Sequence, residues 1–302
     1  MSIFHNHSLN FNLNHQHHPE LKPDEPQDEI TTSVRRALDE DIGTGDITAD
    51  LIADDSISIA TVISRDQGIL CGCAWFDAVF HQLDNTIEIN WQVDDSNEIS
   101  PDQNLCTLKG PSKVILTGER TALNFLQTLS GTATITRQYV NAVKGTGAVI
   151  LDTRKTLPGL RLAQKYAVRC GGGTNHRMGL YDGILIKENH IHAAGSIEHA
   201  VEMARKKNAG MLANILMEVE VETLDQVKEA LAAGADRLLL DNFDEAGIRE
   251  AVAINNKKAK LEASGNVTLD NIHKLALTGV DYISVGALTK HVYAVDFSMR
   301  FE

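Results

Sequence analysis

Residues 148–161 read AVILDTRKTLPGLR: a short apolar run, Ala148–Leu151, breaks into a loop that carries three basic side chains. Between Asp152 and His192 there are seven lysines and arginines and three acidic residues, although the 302-residue chain has a formal net charge of −13. A local excess of positive charge on a negative background predicts an anionic ligand bound at one place. The negative total argues against a basic surface for nucleic acid or for anionic membranes.

The run Ala148–Leu151 is the first of six apolar strand candidates in the second half of the chain. Most of them are separated by stretches with helical periodicity, such as Ser196–Lys207 and Leu224–Ala233. This alternation predicts an α/β fold with parallel strands joined by right-handed crossovers. The six candidates are Ala148–Leu151, Gly183–Ile186, Ile215–Val221, Arg237–Leu240, Lys260–Ala263 and Tyr282–Val285.

Five of these strand candidates end in polar or charged side chains, and the sixth ends in Gly286. Polar chemistry at the carboxyl ends of strands is typical of the catalytic face of an α/β barrel. An open doubly wound sheet would also bind ligands there, but at one crevice rather than at every strand. The spread over the strands favours a barrel, and six strands would leave it incomplete. The polar groups are Asp152 with Arg154 and Lys155, Lys187 with Glu188 and Asn189, Glu220 with Glu222, Asp241 with Asn242, and Ser264 with Gly265 and Asn266.

The strand Ile215–Val221 alternates apolar residues with two glutamates, Glu218 and Glu220. Such alternation also occurs in half-exposed sheets, but in a barrel the outer face packs on helices, so the glutamates would point into the lumen. Buried carboxylates need cationic partners or a metal ion. Asp241, one strand further, supplies a second carboxylate suited to Mg²⁺, which binds few carboxylates together with water and substrate phosphates.

The basic residues near the strand ends predict the chemistry of the anionic ligand. Arg154 and Arg177 can each grip a carboxylate with two hydrogen bonds, whereas Lys155 and Lys187 offer point charges. The turns Ser264–Asn266 and Val285–Ala287 end the last two strands, where barrels often bind phosphate through backbone N–H groups.

The first part of the chain has a different pattern. A helix from Glu29 is predicted to end near Gly43, and short strands are predicted at Ile57–Ser64, Thr86–Val93 and Asn104–Leu108. A helix with an apolar stripe is predicted from Gly118 to Gly131, closed by a glycine at each end. Short strands with few helices indicate an α+β domain with an antiparallel sheet.

The remaining composition limits the class of protein. Residues 1–22 are rich in asparagine and histidine without any period, which predicts a disordered leader; a metal-binding role for its histidines is the alternative. Four irregularly spaced cysteines do not make a disulfide framework, so a reducing, cytoplasmic location is expected. No run of apolar residues is long enough for a membrane span.

Several long motifs resemble one enzyme family, quinolinate phosphoribosyltransferase, also called nicotinate-nucleotide pyrophosphorylase (carboxylating). The resemblance runs in order from about Ser33 to the C-terminus, and the central motifs are highly specific. The motifs are Glu40–Thr48, Glu119–Asn124, Asp152–Arg161, Gly171–Gly179 (GGGTNHRMG), Asp182–His190 (DGILIKENH), Glu218–Glu222, Leu240–Asn242 and Glu262–Asn266.

The resemblance implies an N-terminal open α/β sandwich domain followed by an incomplete, about seven-stranded α/β barrel of the TIM type. We expect the sandwich at residues 23–131, joined by the C-terminal tail 291–302, and the barrel at residues 132–290. The family forms homodimers in which the sandwich of one subunit caps the barrel of the other, so Arg120 would reach the active site of the neighbouring subunit.

The resemblance also implies a pentosyltransferase reaction. Quinolinate and phosphoribosyl pyrophosphate would give nicotinate mononucleotide, pyrophosphate and CO₂, a step toward NAD, with Mg²⁺ as cofactor. Catalysis would fall to Lys155, Lys187, Glu220 and Asp241. Quinolinate would be held by Arg120, Arg154, Lys155, His176, Arg177 and Lys187. The phosphoribosyl donor would be held by Lys155, Glu220, Asp241, Ser264, Gly265, Asn266 and Gly286, and Mg²⁺ by Glu220 and Asp241, partly through water and substrate.

Three alternative functions remain open from the residues. A related phosphoribosyltransferase could act on nicotinate or another anion, but a monocarboxylate does not need this many cations. A barrel aldolase would use Lys187 as a Schiff-base nucleophile, which requires apolar surroundings, whereas Glu188 and Asn189 are polar. A non-catalytic anion-binding barrel would leave Glu220 and Asp241 without a purpose.

Overall fold

The computed structural model describes residues 27–208 and 215–302. The predicted leader, residues 1–22, lies outside the described residues. Two separate clusters of buried apolar side chains form the cores of the first domain and of the parallel-strand domain. None of the described helices combines the length and the apolar character needed to cross a lipid bilayer.

The first domain combines short strands with three helices that pack against one another. Its elements are α1 (Gln27–Ile42), β1 (Ile57–Ser64), β2 (Gly68–Ile69), α2 (Cys73–Leu83), β3 (Glu88–Trp91), β4 (Glu98–Ile99), β5 (Asn104–Pro111) and α3 (Ser112–Ala142). The predicted strands are present, and α2 is an additional helix. It was missed because its apolar residues, Trp75, Phe76, Val79 and Phe80, follow a glycine- and cysteine-containing stretch without a capping residue.

The second domain alternates strands and helices. Its elements are β6 (Val149–Leu151), α4 (Arg161–Cys170), β7 (Ile184–Ile186), α5 (Glu188–Ala194), α6 (Ile197–Asn208), β8 (Met217–Val221), α7 (Leu224–Ala232), β9 (Arg237–Asp241), α8 (Glu245–Asn255), β10 (Lys260–Ser264), α9 (Ile272–Ala276), β11 (Tyr282–Ser284) and α10 (Ala287–Lys290). The chain ends in β12 (Phe297–Phe301). All six predicted strands are present with only small changes at their ends.

The topology of the parallel sheet is that of an opened barrel. The strand order is β6-β11-β10-β9-β8-β7, so the first strand pairs with the last and the remaining order follows the chain. The sheet opens between β6 and β7, where Thr174 forms an isolated parallel bridge to Leu151. The fold is therefore mixed α/β, with an N-terminal sheet domain and a parallel α/β domain, as predicted.

Two connections join the domains. Strand β12 pairs antiparallel with β1, so the C-terminal segment extends the first sheet in the order β12-β1-β5-β3. Helix α3 is 31 residues long and packs into both cores, with Leu129 in the first and Tyr139 in the second. The expected domain boundary at residue 131 lies inside this helix.

The prediction that glycines end the helix at Gly118 and Gly131 was wrong. A Cβ atom at Gly118 would lie 2.7 Å from the Phe80 ring, and one at Gly131 would lie 2.1 Å from the carbonyl oxygen of Tyr293. Both glycines therefore allow neighbouring chain segments to approach the helix. Close packing, and not helix termination, explains their positions.

Candidate active site

Most of the predicted site residues lie at the carboxyl ends of the barrel strands, and this end is called the barrel opening below. The carboxyl ends of parallel strands lie at the same edge of a sheet, so side chains that follow consecutive strands become neighbours. Residues at or just beyond these ends are Arg154 and Lys155 after β6, Lys187 after β7, Glu220 on β8, Asp241 ending β9, Ser264, Gly265 and Asn266 at the end of β10, and Gly286 after β11.

Two lysines and two carboxylates interact at this edge. Lys187 Nζ lies 2.7 Å from Glu220 Oε2. The pKa of Asp241 is raised by its partial burial and by the charge of Glu220, and the charges of Lys187 and Lys155 oppose this rise. The carboxylates are thus close enough to repel each other, and each has a lysine within electrostatic range.

Glycines bring the loops of the last strands close together. Gly265 has φ +97°, and a Cβ atom there would lie 2.2 Å from Asn242 Oδ1. Asn242 in turn donates a 2.9 Å hydrogen bond to Asp241 Oδ2. At Gly286 a Cβ atom would lie 3.2 Å from Lys155 Cδ, so the absence of a side chain leaves room for the lysine. These contacts place Lys155 between the ends of β6 and β11.

Two guanidinium groups lie close together beside this cluster. Burial lowers the pKa of Arg177, and the nearby charge of Arg154 lowers it further. Arg154 Nε is buried and has no hydrogen-bond partner within residues 27–208 and 215–302. A buried donor without a partner is costly, and two neighbouring cations repel each other. An anionic ligand would remove both costs.

The imidazole of His176 has partners on both ring nitrogens. The backbone N–H of Arg177 donates to Nδ1 over 2.8 Å, and Nε2 lies 2.9 Å from Glu218 Oε2. Since Nδ1 accepts a hydrogen bond, the network assigns the proton to Nε2, which donates to Glu218. Burial lowers the pKa of His176, in agreement with a neutral ring. A direct contact of His176 with a ligand carboxylate stays a prediction, because it would require a change of partner.

Comparison with known proteins identifies the family. Residues 46–130 match the family model for the quinolinate phosphoribosyl transferase N-terminal domain, and residues 132–300 match the model for the C-terminal domain. The chain belongs to the quinolinate phosphoribosyltransferase family.

Curated relatives and solved structures of this family align over most of the chain. A probable nicotinate-nucleotide pyrophosphorylase (carboxylating) of Bacillus subtilis is 44% identical over 260 residues, which is 86% of this chain and 89% of the relative. A mitochondrial quinolinate phosphoribosyltransferase (decarboxylating) of Nicotiana tabacum is 38% identical over 301 residues, covering 94% of this chain and 85% of the relative. The solved nicotinate-nucleotide pyrophosphorylase of Francisella tularensis superposes with a TM-score of 0.88 at 49% identity, covering 92% of this chain and 97% of that one.

Arg120 is the predicted site residue that the structure does not bring into the cluster. It lies exposed on α3 in the first domain. Its side chain forms no hydrogen bond or ion pair with any other residue that the structure describes. Its charge opposes the rise that burial causes in the pKa of the adjacent Glu119, and its place in an active site stays a prediction.

Sequence reasoning missed a layer of buried charge beneath the opening. Arg237 Nη1 lies 3.2 Å from Glu262 Oε2, and its guanidinium stacks 4.1 Å from the centre of the Tyr282 ring. Glu262 Oε2 also lies 3.6 Å from His176 Nε2. Charged residues inside otherwise apolar strands were the available signal, and it was used only for Glu218 and Glu220. Lys165 is one of the seven basic residues between Asp152 and His192, and its neighbours in the sequence do not indicate its burial.

The surroundings of Glu220 and Asp241 suit a bound Mg²⁺ ion. Asp241 is partly buried, and the charge of Glu220 raises its pKa, so the two acids form a site where a cation would relieve their repulsion. Two carboxylates at an open edge match the preference of Mg²⁺ for few carboxylates together with water and phosphate oxygens. The donor set fits this ion.

Proposed function

We propose that this protein is a decarboxylating quinolinate phosphoribosyltransferase. It would transfer the phosphoribosyl group of phosphoribosyl pyrophosphate to quinolinate and release pyrophosphate and CO₂, giving nicotinate mononucleotide for NAD biosynthesis. Its membership in the family and the names of its relatives support this reaction. Within the site, the main support is the pair Arg154 and Arg177. The charge of Arg154 lowers the pKa of Arg177, and the buried Arg154 Nε has no hydrogen-bond partner among the described residues.

The acceptor half of the site is built for two carboxylates. We assign quinolinate to Arg154, Arg177 and Lys187, with Lys155 between the acceptor and the diphosphate. Guanidinium forks bind carboxylates with two hydrogen bonds, which fix the plane of the ring as well as its position. A fixed ring orients its nitrogen toward the sugar carbon that it attacks.

The donor half of the site would stabilise the charges that develop as the bond to pyrophosphate breaks. The sugar becomes cationic, and Glu220 and Asp241 would stabilise it and hold the ribose hydroxyl groups. Bound Mg²⁺ would supply positive charge to the diphosphate, held by Glu220 and Asp241 in part through water and substrate. Lys155 stabilises the same leaving group, and Ser264, Gly265, Asn266 and Gly286 would accommodate the 5′-phosphate.

Decarboxylation needs no further organic cofactor. Once the ring nitrogen is bonded to ribose it carries a positive charge, which stabilises the electron pair left on the adjacent carbon as CO₂ departs. A proton then adds to that carbon. The residues of the chain hold the ring in place during this step through the remaining carboxylate.

We assign Arg120 to the active site of a neighbouring subunit in a homodimer. Leu116 lies one helical turn before Arg120, on the same face of α3, and is partly exposed. Ile47 and Leu51 are exposed on the same domain, next to the Asp46–Thr117 hydrogen bond of 2.9 Å. Exposed apolar side chains of this size favour burial against a second copy.

We also propose a cytoplasmic location, for which the support is chemical. All four cysteines are free, and none forms a disulfide in the structure. Free thiols persist in a reducing compartment. Fractionation of cells that express the tagged protein would test this location.

The decisive experiment mixes the purified protein with phosphoribosyl pyrophosphate, Mg²⁺ and quinolinate, with nicotinate in a parallel reaction. Mononucleotide and CO₂ formed from quinolinate alone would establish the reaction. Product from nicotinate alone would support the related transferase and remove the dicarboxylate assignment. No product from either acceptor would refute the proposed function.

A further inference from the structure

A fully buried ion pair contacts the backbone of His176, the residue that precedes Arg177. Lys165 of α4 and Asp152 at the end of β6 both have side chains with 0% exposure, and Lys165 Nζ lies 2.5 Å from Asp152 Oδ1. Withdrawing both charges from water is costly, and such a pair is often no more stabilising than well-packed apolar residues. A contribution to global stability is therefore a weak explanation for this pair.

The partners of the pair suggest another purpose, because they converge on one residue. The backbone N–H of His176 donates to Asp152 Oδ1 over 2.8 Å, and the backbone C=O of His176 accepts from Lys165 Nζ over 2.9 Å. The ion pair thus holds both polar groups of the same residue. Asn175 adds a third contact, since its Nδ2 donates to Asp152 Oδ2 over 2.6 Å.

The held segment is the one that carries Arg177. From His176 the chain continues directly into Arg177, whose own N–H is fixed by the His176 ring. On the other side, Thr174 is fixed to β6 by hydrogen bonds with the backbones of Ile150 and Asp152. Between these fixed points the backbone has little freedom to carry the guanidinium away.

Such a hold is needed because Arg177 lies beside Arg154. Without an anion the two guanidinium groups repel each other, and a loose segment would relax by moving them apart. Each binding event would then have to restore the cation pair at the cost of affinity. A segment that stays in place keeps the donors where the ligand needs them, which is the physical basis of preorganised electrostatics.

We propose that Asp152 and Lys165 are positioning residues for the acceptor, which hold the His176–Arg177 segment and thereby keep the Arg177 guanidinium in place. The assignment rests on the proposed function, because the acceptor is taken to be a dicarboxylate. It gives a role to a buried pair that touches neither substrate. Apart from Lys155, the residues proposed to hold the phosphoribosyl donor lie at the ends of β8 to β11. Lys155 is held by a contact outside the ion pair, since its backbone C=O accepts a 2.9 Å hydrogen bond from Thr289 Oγ1.

Two variants test this role through the two Michaelis constants. Lys165→Met removes the bond to the His176 carbonyl and the partner of Asp152. We expect the KM for quinolinate to rise by about tenfold or more, since small displacements of positioned groups carry penalties of this order. The KM for phosphoribosyl pyrophosphate should change by less than about twofold, because donor contacts are unaffected. The double variant Asp152→Asn, Lys165→Met leaves no uncompensated buried charge. It replaces the single variant in the same kinetic measurement if the single variant does not fold.

Tyr166→Phe is the matched control, because it lies on the same helix and loses a 2.7 Å hydrogen bond to Asp95 on the other side. It should lower the Tm and leave both KM values unchanged. A parallel loss of activity with both substrates in the ion-pair variants would overturn the positioning role, as would an unchanged KM for quinolinate. The wild-type protein is assayed first, so a failure of the proposed function itself appears there, before any variant is compared.

Discussion

Lys187 Nζ lies 2.7 Å from Glu220 Oε2, and this ion pair joins the carboxyl ends of the neighbouring strands β7 and β8. The lysine is half exposed, with 48% of its side chain accessible, whereas 15% of the glutamate side chain is accessible. Because the lysine is exposed, little free energy is needed for it to change partner from the carboxylate to an arriving anion. The pair therefore belongs to the opening of the barrel, in contrast to the buried charges below it.

Loss of either arginine of the acceptor site should raise the KM for quinolinate more than the KM for the phosphoribosyl donor. We expect Arg154→Ala and Arg177→Ala each to raise the KM for quinolinate by about tenfold to a hundredfold, since a charge-assisted, two-pronged contact is lost. The KM for the phosphoribosyl donor should change far less. Steady-state kinetics with each substrate varied in turn provide the measurement. The exposed Arg249, which pairs with Glu245, is the control position for Arg→Ala, and equal effects on both substrates would contradict the assignment.

Asp241 should affect the use of the metal ion. In Asp241→Asn one of the two carboxylates proposed to hold Mg²⁺ is lost, so half-maximal activity should require about tenfold more Mg²⁺. Titrations with Mg²⁺ at saturating quinolinate and fixed donor measure this shift. Asp225→Asn removes an exposed carboxylate on α7 and should leave the titration unchanged. A curve for Asp241→Asn that overlays the wild-type curve would exclude Asp241 from the metal site.

Arg120 and Lys187 should complement each other across subunits. If Arg120 acts in the neighbouring active site, a mixed dimer of Arg120→Ala and Lys187→Ala chains has one site with both residues intact. Random mixing in a symmetric dimer would therefore restore about a quarter of the wild-type activity. Differently tagged chains, denatured and refolded together, provide mixed dimers that can be purified. Inactive mixed dimers of confirmed composition would place Arg120 in its own site or outside the mechanism.

Glu262 should make the stability of the protein fall as the pH rises toward neutrality. Burial, together with the nearby charge of Glu218, raises its pKa from 4.5 to about 7 in the folded protein. Between these values the folded state retains a proton that the unfolded state has lost, so the free energy of unfolding decreases with increasing pH. The stabilisation that this group contributes is fully present below pH 4.5, and it is lost as the pH rises to about 7.

The variant Glu262→Gln isolates this group. Its amide stays neutral and can still accept from Arg237, so the pH dependence of unfolding between pH 4.5 and about 7 should become flatter. Urea unfolding at a series of pH values, followed by circular dichroism, measures the difference. An unchanged slope in the variant would show that another group binds the proton.

Gly131 should reverse the usual effect of alanine in a helix. Replacement of a helical glycine by alanine normally stabilises by up to about 1 kcal/mol. Here the new Cβ would lie 2.1 Å from the Tyr293 carbonyl oxygen, so we expect Gly131→Ala to destabilise by about 1–3 kcal/mol. Asn124→Ala, at an exposed position of α3, is the control and should be neutral or stabilising. Equal denaturation midpoints for the two variants would contradict the close packing.

The positions of the barrel strands could be predicted because the signal is local. Strands such as β9, with Leu238 and Leu240 buried among neighbouring apolar residues, are apolar runs bounded by polar residues in the sequence itself. Polar residues that follow such runs lie at one edge by the rules of parallel sheets. The grouping of Lys187, Glu220 and Asp241 follows from their places in the chain.

The layer below the opening could not be predicted in the same way. Asp152 and Lys165 are 13 residues apart, and His176 and Glu218 are 42 residues apart. Whether a charged residue is buried against a partner or exposed to water depends on which segments pack together. The packing of distant segments cannot be read from a single sequence. The glycines of α3 were misinterpreted for the same reason, since the segment that approaches Gly131 comes from the far end of the chain.

The strand–helix order, the polar strand ends and the resemblance to the family can be read from the amino-acid sequence, because each is carried by residues close together in the chain. Folding is what brings Asp152 and Lys165 to His176 from both sides and holds the His176 ring as one tautomer. These are relations between distant segments. They depend on the burial, distance and direction of side chains, which exist only once the chain is folded.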